Sequence, residues 1–254
     1  MALLRCDFFS EVLEVGTSMT VLLPQAGEEQ IGVTGSVPRD GEVPVLYLLH
    51  GLSDDSTAWQ RYTGIERYAA PYGLAVVMPE VQRSFYADER LGGSYWTFLS
   101  EELPSVVQSF FRVSDRREDT FVAGLSMGGY GALKWALRHP DRFAAVASLS
   151  GALDVDEIRH EEWRRPLFKR VFGDDLPDDD DLFRLIERSD PTAVPPVFLG
   201  CGTEDHLFAS NERFLDAART RGVDVHVDFR PGGHEWGLWD ATIRDVLAWL
   251  PLAR

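Results

Sequence analysis

Gly124-Leu125-Ser126-Met127-Gly128 places a serine at the centre of a G-x-S-x-G motif. An apolar run, Thr120 to Ala123, precedes it and a helical pattern, Met127 to Arg138, follows it. That is the strand–turn–helix context of a nucleophile elbow. So sharp a turn brings neighbouring backbone close, which requires small residues on either side of the serine. It would lift the Ser126 hydroxyl above a sheet and aim the N-terminus of the next helix at developing negative charge. A serine hydroxyl attacks a carbonyl only with a base to take its proton and an acid to orient that base. In this context the acid and then the histidine follow the serine along the chain.

The acid is expected beyond a later strand. Val197 to Gly200 runs into Cys201-Gly202-Thr203-Glu204-Asp205, and Asp205 lies 79 residues after Ser126. Glu204 is a second carboxylate beyond the same strand, and charge alone does not separate the two. His234, in Gly232-Gly233-His234-Glu235-Trp236, comes 29 residues after Asp205, between the last strand and the last helix. His206 is a rival base only by proximity to Asp205, since adjacent residues on a turn rarely join side chain to side chain. His50 ends a buried strand and reads as a brace for the loop after it. Two backbone N–H groups should hold the tetrahedral oxygen. Met127, after the serine, is one, and Leu52 of His50-Gly51-Leu52 is the other. Of the aromatics that could line a pocket (Trp59, Tyr95, Trp96, Phe208, Trp236 and Trp239), Trp96 and Trp236 flank the loops concerned and are the candidate substrate contacts. Trp135 and Trp249 fall among apolar helix neighbours and read as core. Glu235 is either a loop brace or a solvated charge.

These residues need a scaffold. Asp7–Glu14 and Thr17–Leu23 read as strands, and Gly27–Gly41 as turn and edge structure. Val43–Leu49 and Leu74–Met78 are nearly continuous apolar runs, the mark of strands buried on both faces of a parallel sheet. Helices are expected over Ile65–Ala70 and Trp96–Phe111, the latter bent at Pro104. After the strand at Phe143–Leu149 the alternation stops. Charge rises from Asp154 to Pro191, and Trp163, Leu167, Phe168, Val171 and Phe172 keep helical spacing, so this segment reads as a small helical cap inserted over the sheet edge. The pattern then resumes with a strand at Val197–Gly200, a helix at Asn211–Arg221, a strand at Val223–Phe229 and a helix at Trp236–Leu250. Strands alternating with helices predict one α/β domain over residues 1–254 with a mostly parallel central sheet.

At 254 residues with 44% hydrophobic residues, the chain can bury roughly three-quarters of its unfolded surface and needs neither disulfide nor metal to hold a core. Cys6 and Cys201 read as free thiols in a reducing compartment, one distant pair being the alternative. The net charge of −16 repels nucleic acid and anionic membranes. No run approaches a membrane span and no signal peptide is visible, so the chain reads as cytoplasmic. Lys134 and Lys169 are the only lysines. The acidic run Asp174, Asp175, Asp178, Asp179, Asp180 and Asp181 reads as a solvated loop before a helix, with metal binding as the other reading.

The motifs together carry a resemblance. His50-Gly51-Leu52-Ser53-Asp54-Asp55 with Trp59, Gly124-Leu125-Ser126-Met127-Gly128-Gly129-Tyr130-Gly131-Ala132, Cys201-Gly202-Thr203-Glu204-Asp205 and Gly233-His234-Glu235-Trp236 resemble the esterase-D-like α/β-hydrolases. The tributyrin-esterase and S-formylglutathione-hydrolase branch is the nearest in appearance, in a group that also holds feruloyl and acetyl-xylan esterases and, further off, mycolyltransferases. The resemblance spans nearly the whole chain and fits the 154–191 segment least. It implies a single α/β-hydrolase domain and a serine carboxylesterase acting on short-chain acyl esters. It also aligns the acid with Asp205 and implies no cofactor or metal, a small-molecule ester as partner, and room for a homo-oligomer. An acyltransferase on the same residues, and a binding protein that kept the fold without the chemistry, are the other classes.

Overall fold

The computed structural model describes residues 1–25 and 42–252. The turn and edge structure expected at Gly27–Gly41 lies outside the described residues. The strands are β1 (Ala2–Ser10), β2 (Val15–Leu23), β3 (Val45–Leu49), β4 (Ala75–Pro79), β5 (Thr120–Leu125), β6 (Ala145–Leu149), β7 (Val197–Gly202) and β8 (Val225–Arg230). They form one eight-stranded sheet in the order β1-β2-β4-β3-β5-β6-β7-β8. β1 and β2 join antiparallel and every pair from β4 to β8 is parallel. The apolar runs explain this: all five residues of β3 and of β4 are buried, as strands covered on both faces must be. Val45, Tyr47 and Leu49 face one helix layer while Leu46 and Leu48 face the other.

The helices are α1 (Ala58–Tyr62), α2 (Ile65–Ala69), α3 (Tyr95–Thr97), α4 (Leu103–Phe110), α5 (Met127–Arg138), α6 (Arg165–Phe172), α7 (Leu182–Arg188), α8 (Phe208–Arg221) and α9 (Trp236–Trp249). α1, α2 and α9 cover one face of the sheet; α9 alone buries Trp239, Ile243, Val246 and Leu247 there. Each such side chain contributes about 1.5–3 kcal/mol. α4 to α8 supply the opposite layer. Among the described residues no helix is long and apolar enough to cross a membrane.

One expectation is corrected and two are refined. β1 runs over Ala2–Ser10, not Asp7–Glu14: the chain reverses at Glu11–Glu14, with Glu14 at φ 56°, and Val12 and Leu13 pack on the core from the turn. Their apolar character, not a strand, made the pattern. The helix expected around Pro104 runs unbroken from Tyr95 to Phe110, as α3, a π turn over Phe98–Glu102, and α4 with Pro104 in its first turn. Pro104 has no N–H to donate inside this helical path; the π turn lies directly before it, and the Ser100 carbonyl accepts from Arg142.

The acidic run is an exposed loop before α7 over most of its length, with its last residues given particular partners. Asp181 caps α7, accepting from the N–H groups of Phe183 (2.8 Å) and Arg184 (3.3 Å). Asp179 pairs with Arg188 and lies 3.8 Å from Arg138. Asp180 pairs with Lys134, whose side chain is fully buried on α5. Asp179 and Asp180 therefore tie the 154–191 segment, which holds a 3₁₀ turn (Val155–His160), α6 and α7, to α5.

Candidate active site

β5 ends directly in Ser126, and α5 begins at the next residue. Ser126 sits at φ 52°, ψ −117°, a strained conformation costing about 1–3 kcal/mol. Its surroundings hold it there: its N–H donates to Leu149 (2.9 Å) and its carbonyl accepts from Ala152 (3.0 Å). The glycines are sterically required. A Cβ on Gly124 would lie 2.3 Å from the Gly128 carbonyl oxygen, and one on Gly128 would lie 2.4 Å from that of Leu49.

β7 and β8 are neighbours with Gly202 opposite Arg230, so the loops carrying Asp205 and His234 leave the sheet side by side. His234 Nε2 lies 3.0 Å from Ser126 Oγ, and its Nδ1 lies 2.8 Å from Asp205 Oδ2. The Asp205 side chain is inaccessible to solvent. Burial pushes its pKa up, but the bond from His234 and one from the Leu207 N–H (2.9 Å) more than offset it, and the carboxyl sits below the usual range. An ionised acceptor keeps the proton of His234 on Nδ1 and leaves Nε2 free to accept from the serine hydroxyl. Glu204 does something else. Its carboxylate accepts from the Gly232 N–H while its own N–H donates to the Gly232 carbonyl (3.1 Å), clipping the two loops together.

His206 comes nearer than the sequence reading allows, with Nδ1 3.4 Å from Asp205 Oδ1 and its ring centroid 4.8 Å from that of His234. Burial, reinforced by His234, lowers its pKa. The potential ligand atoms of Asp205, His206 and His234 lie within 4.8 Å of one another. Both Asp205 oxygens already accept hydrogen bonds, which a metal would have to displace.

The second loop arrives because β3 lies beside β5, Leu49 opposite Gly124. Since β4 flanks β3 on its other side, this is where the strand order reverses, the position at which open α/β sheets hold ligands. The loop is braced from several sides. Trp59 Nε1 donates to the Leu49 carbonyl (2.9 Å), and the Tyr86 hydroxyl donates to that of His50 (2.8 Å). His50 is a brace: its Nε2 accepts from the Val81 N–H (3.2 Å), which leaves its proton on Nδ1 to donate to the Gly51 carbonyl (2.7 Å). Asp54 accepts from the Gly51 N–H at 3.2 Å; burial raises its pKa, against the opposing pull of His50 and that bond. Leu52 and Met127 both border the cavity. The Met127 N–H, first in α5, has no acceptor within its helix.

A cavity of about 620 Å³ opens over Ser126 and His234. Trp236 and Trp239 line it, their rings 5.2 Å apart and at right angles, and Trp239 stands edge-on to His234 at 4.8 Å. Trp96 does not line it. Its ring packs on α5 instead, stacked on His139 at 5.8 Å with Lys134 Nζ at 4.6 Å and Arg138 at 4.1 Å. The helical path of α3 turns it toward α5, so its closeness in sequence to a site loop misleads. Tyr95 and Phe208 are also elsewhere, and Trp59 is buried behind the cavity wall. Sequence reasoning missed Arg83, Phe85, Trp163 and Arg164, which border the cavity. No motif marks them, because they reach it from a loop and an insertion whose course only the packed chain defines.

The family model "Putative esterase" matches residues 20–250. An acetyl esterase of Caldicellulosiruptor saccharolyticus is 29% identical over 264 residues, covering 98% of each chain. Two solved structures from Staphylococcus aureus are similar throughout, each 32% identical and covering 98% of both chains. They are the fluorophosphonate-binding serine hydrolase FphF with substrate bound (TM-score 0.87) and the S-formylglutathione hydrolase FrmB as apoenzyme (TM-score 0.84).

Proposed function

This chain belongs to the Putative esterase family and is a carboxylesterase with the α/β-hydrolase fold, and from that premise we propose that it cleaves short-chain acyl esters through Ser126, His234 and Asp205. The observation carrying this is the continuous chain of hydrogen bonds from Asp205 through His234 to a serine held at φ 52°. His234 Nε2 takes the hydroxyl proton as Ser126 Oγ attacks the ester carbonyl. The oxyanion accepts from the N–H groups of Leu52 and Met127, the second at the N-terminus of α5. His234 then returns the proton to the leaving alcohol, and the acyl group stays on Ser126. Water, deprotonated by the same nitrogen, releases the acid. Asp205 stays ionised throughout and stabilises the imidazolium.

The short acyl chain is supported by the bulk of Trp236, Trp239 and Phe85 around a cavity of about 620 Å³. We read residues 154–191 as a cap, since Trp163 and Arg164 border that cavity. A cytoplasmic setting is supported by Cys6 and Cys201, both free thiols. The test is turnover of a nitrophenyl ester series from acetate to decanoate, with methyl ferulate, acetylated sugars and S-formylglutathione beside it, and intact-mass detection of an acyl adduct. Acetyl to butyryl esters should turn over fastest, with the adduct on Ser126. A preference for decanoate, or an adduct on another residue, would overturn the reading.

A further inference from the structure

The sheet has one open edge whose pattern is self-complementary. β1 pairs with β2 alone, and among the described residues nothing pairs with its outer side. The backbone direction can be worked out. Ser18 faces Glu80 across β2 and β4 and accepts its N–H at 3.1 Å, so Ser18, Thr20 and Leu22 point their polar groups at β4. Thr17, Met19 and Val21 then point at β1, where Phe8, Cys6 and Leu4 answer them. Leu3, Arg5, Asp7 and Phe9 are left to turn their N–H and C=O groups to the open edge. The same four are exposed, Leu3 at 49% and Phe9 at 60%, as is Ala2 at the start of the strand.

We propose that β1 is an interface with a second copy of this chain, two β1 strands pairing antiparallel about a two-fold axis at Cys6. In that register Arg5 faces the partner's Asp7, and Leu3 faces the partner's Phe9. Two ion pairs and two apolar pairs form on the outer face while every edge N–H and C=O finds a partner. The neighbouring registers fail. A shift of two residues sets Arg5 against Arg5, or Asp7 against Asp7, on the axis. A shift of one puts edge-facing groups opposite groups already bonded to β2. A chain of net charge −16 repels its own copy, so a self-contact must be locally neutral; one Arg and one Asp make this strand so. At Cys6 the axis passes through a non-hydrogen-bonded pair, with Cα atoms about 4.5 Å apart, within disulfide reach.

The test is the dissociation constant from analytical ultracentrifugation of wild type, Arg5→Asp and the charge swap Arg5→Asp/Asp7→Arg. Both side chains are about two-thirds exposed, 65% and 66%, so the variants should fold, which retained ester turnover will check. Wild type should be dimeric in the micromolar range. Arg5→Asp sets like charges opposite each other twice and should weaken the dimer about tenfold or more, whereas the swap restores it. In a Cys201→Ser background, copper-phenanthroline oxidation should link the dimer through Cys6. A monomeric wild type would overturn the proposal. So would a dimer indifferent to Arg5→Asp or not restored by the swap, or one in which Cys6 never crosslinks.

Discussion

The loops at the carboxyl end of the sheet and the segment from 154 to 191 both place buried polar groups over one core, but to different ends. In the loops three polar groups stand in one line of short bonds that ends at the open cavity: Asp205 to His234 at 2.8 Å, His234 to Ser126 at 3.0 Å. In the segment the central polar contact is closed. Lys134 is fully buried, its ammonium donating to Asp180 and to the Tyr86 carbonyl (2.8 Å) beside the rings of Trp96 and Tyr130. Burial pulls its pKa below the usual lysine value, with Asp180 working against the shift. A buried pair of this kind contributes little net stability, yet breaking it is costly. Under the proposed function the first arrangement serves to move a proton, while the second ties a segment to α5.

That contrast can be broken by mutation. Ser126→Ala should cut ester turnover by about six orders of magnitude and abolish fluorophosphonate labelling while leaving the melting temperature within a few degrees. Asp205→Asn should cost about four orders in turnover, because the amide can hold His234 in the wrong tautomer. Labelling that survives Ser126→Ala, or near-normal turnover in Asp205→Asn, would break the assignment of chemistry to the loops.

Asp180→Asn should invert the pattern. It strands the Lys134 charge and should cost about 3–5 kcal/mol by chemical denaturation, and Lys134→Met with Asp180→Leu should recover most of it. The pH dependence has a definite sign. Without Asp180 the native pKa of Lys134 falls further below its unfolded value, about 10.4. The folded state then holds fewer protons than the unfolded one between those two values, so stability rises with pH. The deficit should be largest at neutral pH and shrink as Lys134 loses its proton. A deficit that ignores pH would show that the charge is not the cause.

Glu204→Gln is the smallest and sharpest case, since Glu204 adjoins Asp205 but only clips the loops. Loss of one such contact is worth near 1 kcal/mol, so turnover should fall less than about tenfold at saturating ester. If Glu204→Gln is crippled and Asp205→Asn active, the acid is off by one residue.

Local signals determined a good deal by themselves. The G-x-S-x-G turn, the buried β3 and β4 and the chain order of serine, acid and histidine were legible because each rests on residues adjacent in sequence: glycines that admit close backbone, apolar runs that need two covered faces, loops that follow strands. Only the tertiary structure decided the rest. Trp96 and Trp236 both flank site loops, yet one packs against α5 and the other lines the cavity. Asp178 and Asp180 look alike in the acidic run, yet Asp180 alone meets a buried lysine 46 residues away. The apolar Val12 and Leu13 mimic a strand because the core accepts them from a turn. Where a side chain ends up depends on the register of strands far apart in the chain and on which helix covers them, and neither is written in any one stretch of residues.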